Sequence, residues 1–188
     1  MEPLFRRRNV QEYFDQASLK GRAAVEAMPP SVLEGPTLEG ALQTIFEQNI
    51  LEVPRLDSDH KRGARRDMQK GVREFDEERL VNVSVIDVTI PFIGDSSGFH
   101  IAPNRCLLGS MGEVGGNAVV VTVPDDDQAQ GKVDEFINQT DQNLDTLRRD
   151  IEQWKPHFLA ELRRAADERM SKLKAARDRD AKLNFPVD

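Results

Sequence analysis

The stretch Val81-Asn82-Val83-Ser84-Val85-Ile86-Asp87-Val88-Thr89-Ile90-Pro91-Phe92 decides how this chain folds. Its density of β-branched residues marks a strand. From Ile86 onward every even position is apolar, so Ile86, Val88, Ile90 and Phe92 are expected to face a core. The odd face is mixed and partly wet. Pro91 has no amide to donate, so the strand is expected to end there or to lie at an edge. A second strand, Ala118 to Val123, follows the turn residues Gly115-Gly116-Asn117. Phe99-His100-Ile101 and Arg105-Cys106-Leu107-Leu108 are candidates for short strands in between. These pieces predict a small antiparallel sheet of three to five strands.

On either side of the sheet the pattern is helical. Residues 1 to about 75 read as helical and irregular. Phe5, Val10, Tyr13, Phe14, Ala17 and Leu19 recur at helical spacing with Asn9 as N-cap, and Met28-Pro29-Pro30 stops that helix. A second helix is expected from Thr37 to about Gln48. The segment Asp57 to Arg73 carries Lys61, Arg62, Arg65, Arg66, Lys70 and Arg73. It reads as a solvated helix face or linker, or else as a surface for phosphate or an acidic partner. Downstream, Val133, Ile137, Thr140, Leu144, Leu147, Ile151, Trp154 and Phe158 follow alternating steps of four and three. That is a heptad seam with one polar break, and it crosses Pro156 in phase. A kinked continuation, or two helices meeting at the proline, fits better than an unrelated loop. The expected fold class is α+β, with an antiparallel sheet packed with N-terminal helices and a long, Pro-kinked C-terminal arm. The expected division is an α+β body over 1–128, a helical arm over 129–183 and a tail over 184–188.

With 188 residues the chain is long enough for one domain with a real core. It is 31% charged and only 6% aromatic, which suits solvated helices around a modest core. A net charge of −7 argues against a protein that coats nucleic acid as a whole. Locally the balance differs, since residues 148 to 182 hold eleven Lys or Arg against seven Asp or Glu. Cys106 is alone and fits a reducing compartment. No apolar run is long enough for a signal peptide or a membrane span. These features lead us to expect a soluble, cytoplasmic protein without a membrane partner.

One motif invites a catalytic reading. Gly94-Asp95-Ser96-Ser97-Gly98 satisfies G-x-S-x-G, the pattern of a hydrolase nucleophile elbow. An elbow needs a strand before the serine and a helix after it, and Phe99 to Pro103 reads as extended instead. The three histidines, His60, His100 and His157, form no evident triad with Ser96. We therefore expect a polar turn in which Asp95 and Ser96 cap backbone amides, with Asp95, Ser96, Ser97 and His100 as the first places to look for a ligand or partner. No metal-ligand spacing is present, and no cofactor is expected. Asp125-Asp126-Asp127 reads as a helix cap, and the glycine-rich run 109–116 as a flexible connection. Trp154 and Phe158 read as core packing, with a partner hot spot as the alternative.

Three further pieces carry a resemblance. They are Leu4-Phe5-Arg6 with Val10-Gln11-Glu12-Tyr13-Phe14; Val88-Thr89-Ile90-Pro91-Phe92-Ile93-Gly94-Asp95 with Phe99 and Pro103; and Arg169-Met170-Ser171-Lys172-Leu173 with Leu183-Asn184-Phe185-Pro186-Val187. Together they resemble an uncharacterised bacterial module that stands in front of effector domains, restriction-nuclease-like or Toll/interleukin-receptor-like, in phage-defence proteins. The family's serine after the proline is Asn104 here, and the glycine of its closing segment is Asn184. An effector would begin where this sequence stops, so a free-standing version and a fragment are both open. The resemblance implies sensing, scaffolding or regulation, with no catalysis assigned. The expected function is a non-enzymatic regulatory or oligomerisation module. Its interaction seam is Leu144, Leu147, Ile151, Trp154 and Phe158, which would meet a second copy or an effector. The alternatives are nucleic-acid or nucleotide binding through 61–73 and 163–182, and a small serine hydrolase using Ser96.

Overall fold

The computed structural model describes residues 2–74, 77–107 and 110–182. The expected tail 184–188, the Leu183–Val187 segment, Leu108 and Gly109 lie outside the described residues. The chain is α+β, with an antiparallel sheet and a long C-terminal helix. Its contacts group into two units, Met1–Val10 with Leu51–Asp150, and Gln11–Ile50 with Ile151–Asp188. This grouping differs from a body over 1–128 and an arm over 129–183.

In the first unit, β1 (Glu2–Pro3) and β2 (Arg8–Asn9) are short. After the helices of the other unit come β3 (Arg55–Leu56), β4 (Arg62–Glu74) and β5 (Glu77–Ile93). Then follow β6 (Ile101–Ala102), β7 (Met111–Gly115) and β8 (Ala118–Pro124). The main sheet runs β1-β7-β8-β5-β3, with β4 also on β5, and all its ladders are antiparallel. β2 and β6 form a separate parallel pair.

The even face of β5 is buried as its alternation demands. Val88, Ile90 and Phe92 join Leu4, Phe5, Phe99, Val119, Val121 and Val123 in one core. Pro91 lies in a central strand, contrary to the expected edge or end. β4 pairs with β5 only as far as Thr89, and β3 takes over at Phe92. Pro91 falls in that gap, and its carbonyl accepts the Asp57 amide at 2.8 Å on the same side. A missing donor costs nothing there, because no ladder partner faces it.

Two further expectations fail. The basic segment 61–73 is strand rather than helix or linker, paired with β5 residue for residue from Arg62↔Thr89 to Glu74↔Glu77. The glycine-rich run contributes β7 rather than a flexible connection, joined to β8 by a tight turn at Gly116-Asn117. Of the two candidate short strands, the first splits into a 3-10 turn over Ser96–His100 and β6. Arg105, Cys106 and Leu107 are not in a strand.

The second unit holds α1 (Val10–Glu26) from Gln11 on, α2 (Pro30–Leu33) and α3 (Leu38–Asn49). α1 ends before Pro29-Pro30 and α2 starts on a proline, where the missing amide is harmless. Thr37 is the N-cap residue of α3, without a side-chain cap bond. The last helix, α4 (Ala129–Asp180), runs on through Pro156, which excludes a hairpin there. Asp126 caps its start, accepting the Gln128 amide at 3.0 Å and Lys132 Nζ at 2.9 Å. Val133, Phe136, Ile137 and Leu144 of α4 belong to the sheet core. Phe158, Leu162, Ala165 and Ala166 belong to a separate core with Val25, Met28, Leu33, Leu42 and Ile45. Among the described residues, no helix is long and apolar enough to cross a membrane.

Candidate interaction surface

The Gly94–Gly98 run owes its spelling to packing. Gly94 has φ +110, a conformation open to glycine, and a Cβ there would stand 2.9 Å from Pro54 Cα. A Cβ on Gly98 would meet Pro54 Cδ at 2.4 Å. The Asp95 amide donates to Glu52 O at 2.8 Å, so the whole turn lies down on Glu52-Val53-Pro54. Asp95 Oδ1 then accepts the Ser97 amide at 2.8 Å and opens the 3-10 turn. Five residues of 3-10 followed by a strand supply no helix of the kind an elbow uses to build its oxyanion hole. Ser96 is exposed on this turn.

The seam residues are all turned inward. Leu144, Leu147, Ile151 and Phe158 are each at most 1% exposed. Trp154 is half-buried and stacks between Phe14, 4.5 Å away, and Phe158, 4.6 Å away. The polar break Thr140 is buried with its hydroxyl 3.5 Å from that of Ser110. The seam is therefore largely a folding seam: Leu144, Leu147, Ile151 and Phe158 are covered within this chain, and Trp154 alone of the five is partly exposed. One helix residue the periodicity did not flag is Asn143, fully buried. Its side chain accepts the Leu107 amide at 2.7 Å and donates to the Leu107 carbonyl at 3.0 Å.

The surface that does project is the β4–β5 ribbon. β8 pairs with β5 only between Val85 and Pro91, so beyond Val85 the two strands have only each other among the described residues. Directly opposed residues share a face, which puts Arg66, Met68 and Lys70 beside Val85, Val83 and Val81. The other face carries Arg65, Asp67 and Gln69 beside Ile86, Ser84 and Asn82. Apolar side chains thus change face between Ile86 and Val85. On the core side, Ser84 and Asn82 follow Ile86, and the sheet core stops. On the opposite side Val83 and Met68 are half-buried, and Val81 remains 38% exposed.

Charge is mixed along this ribbon. Residues 61 to 67 of the basic segment are exposed. Arg66 holds Asp87 through two nitrogens, at 2.5 and 3.2 Å, and the Thr122 hydroxyl donates to the same carboxylate at 2.6 Å. These bonds hold the Asp87 carboxyl below its usual range, with Arg66 the larger cause. Arg65 reaches Asp125 at 3.0 Å. Before the ribbon, His60 sits 2.8 Å from Asp57, whose hydrogen bond and charge push the imidazole up. Four cations of the second basic segment have partners within their own unit. Arg163 pairs with Glu39, Arg169 donates to Val25 O, Lys172 approaches Glu26, and Arg177 pairs with Glu34.

His100, at the far end of the 3-10 turn, lines a cavity of about 420 Å³ with Pro3, Leu4, Arg7, Gly112, Glu113 and Val114. Of the four residues picked out by the turn, it alone is among those lining residues. Arg7 and Glu113 carried no sequence signal beyond being charged. No group of three or more His, Cys, Asp or Glu side chains that could hold a metal occurs among the described residues. No family model, curated protein or solved structure matches the chain.

Proposed function

We propose that this chain is a non-enzymatic regulatory module that binds a protein partner along the β4–β5 ribbon. The observation that carries this reading is the change of face at Val85. It leaves Met68, Val81 and Val83 as an apolar strip on a projecting ribbon, with the exposed Lys70 beside it. Polar residues on the core side would suffice if the ribbon were only a solvated loop. An apolar strip on the other side favours an occupant. Lys70 gives that occupant its chemistry, an apolar surface bordered by carboxylate. A second copy pairing along the outer edge of β4 fits less well. Antiparallel pairing of β4 with itself about Met68 sets Arg66 opposite Lys70, and like charges directly opposed repel. An effector protein is thus the proposed partner, in keeping with the resemblance to modules that precede effectors.

The test pairs Val81→Ser with Lys70→Glu, two changes on exposed side chains. The native chain is expected to capture a protein from extracts of its own cells, identified by mass spectrometry. The double variant should fold equally well and lose it. Identical capture by both chains would refute the ribbon as the contact.

A second reading, nucleic-acid binding, is favoured by the exposed Lys61, Arg62 and Lys70. It predicts retention of duplex or single-stranded DNA that falls steeply with salt. The pairing of Arg65 and Arg66 with carboxylates, and of Arg163 and Arg177 with glutamates of their own unit, weighs against it.

A further inference from the structure

We infer that the cavity beside the N-terminal segment is a binding site for a small phosphate ester carrying hydroxyl groups, a sugar phosphate or a mononucleotide. The site is separate from the ribbon and does not depend on its having a partner. Its walls come from three parts of the first unit: the N-terminal segment, the end of the 3-10 turn, and β7. A volume of about 420 Å³ suits a ligand of that size.

The chemistry of the walls is divided. Arg7 brings positive charge and His100 a ring N–H, and a guanidinium presents the planar fork that phosphate oxygens fit. Glu113, on the exposed side of β7, brings an acceptor. A carboxylate facing a bare anion would repel it. Facing a ligand with hydroxyls it has donors to accept from, as acidic residues do with ribose in dinucleotide sites. Leu4, Pro3 and Val114 supply apolar contact for the carbon skeleton.

The backbone that aims these groups is strained. Phe5 has φ +59, which is costly for a bulky residue and persists where the surroundings over-determine it. Phe5 is 1% exposed, its amide donates to Phe99 O at 2.6 Å, and its ring lies against that of Phe99. The left-handed turn lets Leu4 and Phe5 both enter the core and returns the chain to the surface at Arg6 and Arg7. The Arg7 amide then donates to His100 O at 3.1 Å. That main-chain bond sets the two residues next to each other at the cavity wall.

The experiment titrates the full chain with ribose 5-phosphate and with inorganic phosphate, followed by amide chemical shifts. Saturable shifts at Arg7, His100 and Glu113 are expected, with the ester bound more tightly than inorganic phosphate. Arg7→Gln should weaken both probes by about tenfold or more. Glu113→Gln should abolish the preference for the ester while inorganic phosphate still binds. Amide spectra unchanged away from the cavity establish that both variants remain folded. Absence of saturable shifts at these residues with millimolar probe, or equal binding by Arg7→Gln, would overturn the site. A preference that survives Glu113→Gln would overturn the hydroxyl-binding part.

Discussion

Gly98 shows how a residue can look chemical and act mechanically. Its partner is the ring of Pro54, and the space for a methyl group is absent. Gly98→Ala is expected to cost about 1–3 kcal/mol through overpacking. Ser96→Ala, on the exposed side of the same turn, should stay within about 0.5 kcal/mol. Urea unfolding of the two variants measures both, and equal effects would contradict this account of the motif. Asp87 offers a test in pH. Its folded carboxyl binds a proton less readily than the unfolded one, because Arg66 and Thr122 bond the charged form. The stability this gives is fully present above the ordinary carboxylate range and is lost as pH falls through the lower folded value. Between about pH 5 and 3 the native chain should lose more stability than Asp87→Asn. Parallel losses in urea midpoint would show that the pair contributes nothing.

The long helix was legible at the level of the element because a period close to 3.6 held over many turns. Each seam position from Val133 to Phe158 is buried or half-buried. What periodicity cannot supply is the identity of the opposing surface. A heptad seam reads the same whether it meets a second copy or the protein's own core, and here Leu144 meets the sheet core while Phe158 meets the helical one. Phe158→Ala should therefore destabilise the protein by about 3–5 kcal/mol. An unchanged urea midpoint would return the seam to the role of a contact for partners. β5 and β8 were legible for the complementary reason, that one face of each is buried at period two. β4 was not. Its ribbon is solvated on most of both faces, so Arg65, Arg66, Asp67 and Gln69 show no alternation to detect. β7 was hidden by Gly112 and Gly115, which lower strand propensity while its register is set by β8. The one signal within reach was the shift of apolar residues from odd positions at Val81, Val83 and Val85 to even ones from Ile86.

Across the molecule, chain order and contact order diverge. The N-terminal ten residues join the sheet unit, the next forty join the last part of the chain, and each unit has its own core. The candidate turn was partly legible in the same sense. Asp95 caps as its type and position suggest, and His100 reaches the cavity, but Arg7 and Glu113 come from strands and turns far apart in sequence. Their convergence depends on β1 pairing with β7, which no local pattern encodes. At this scale the net charge of −7 coexists with an apolar-striped ribbon of mixed charge. We regard that ribbon, rather than the helix seam, as the contact surface. The most direct measurement places a photo-crosslinking residue at Val81, 38% exposed on the ribbon, and at Leu19, 70% exposed on α1, in the native cell. A discrete protein adduct is expected from position 81 and none from position 19. Equal crosslinking from both positions, or none from 81, would contradict it.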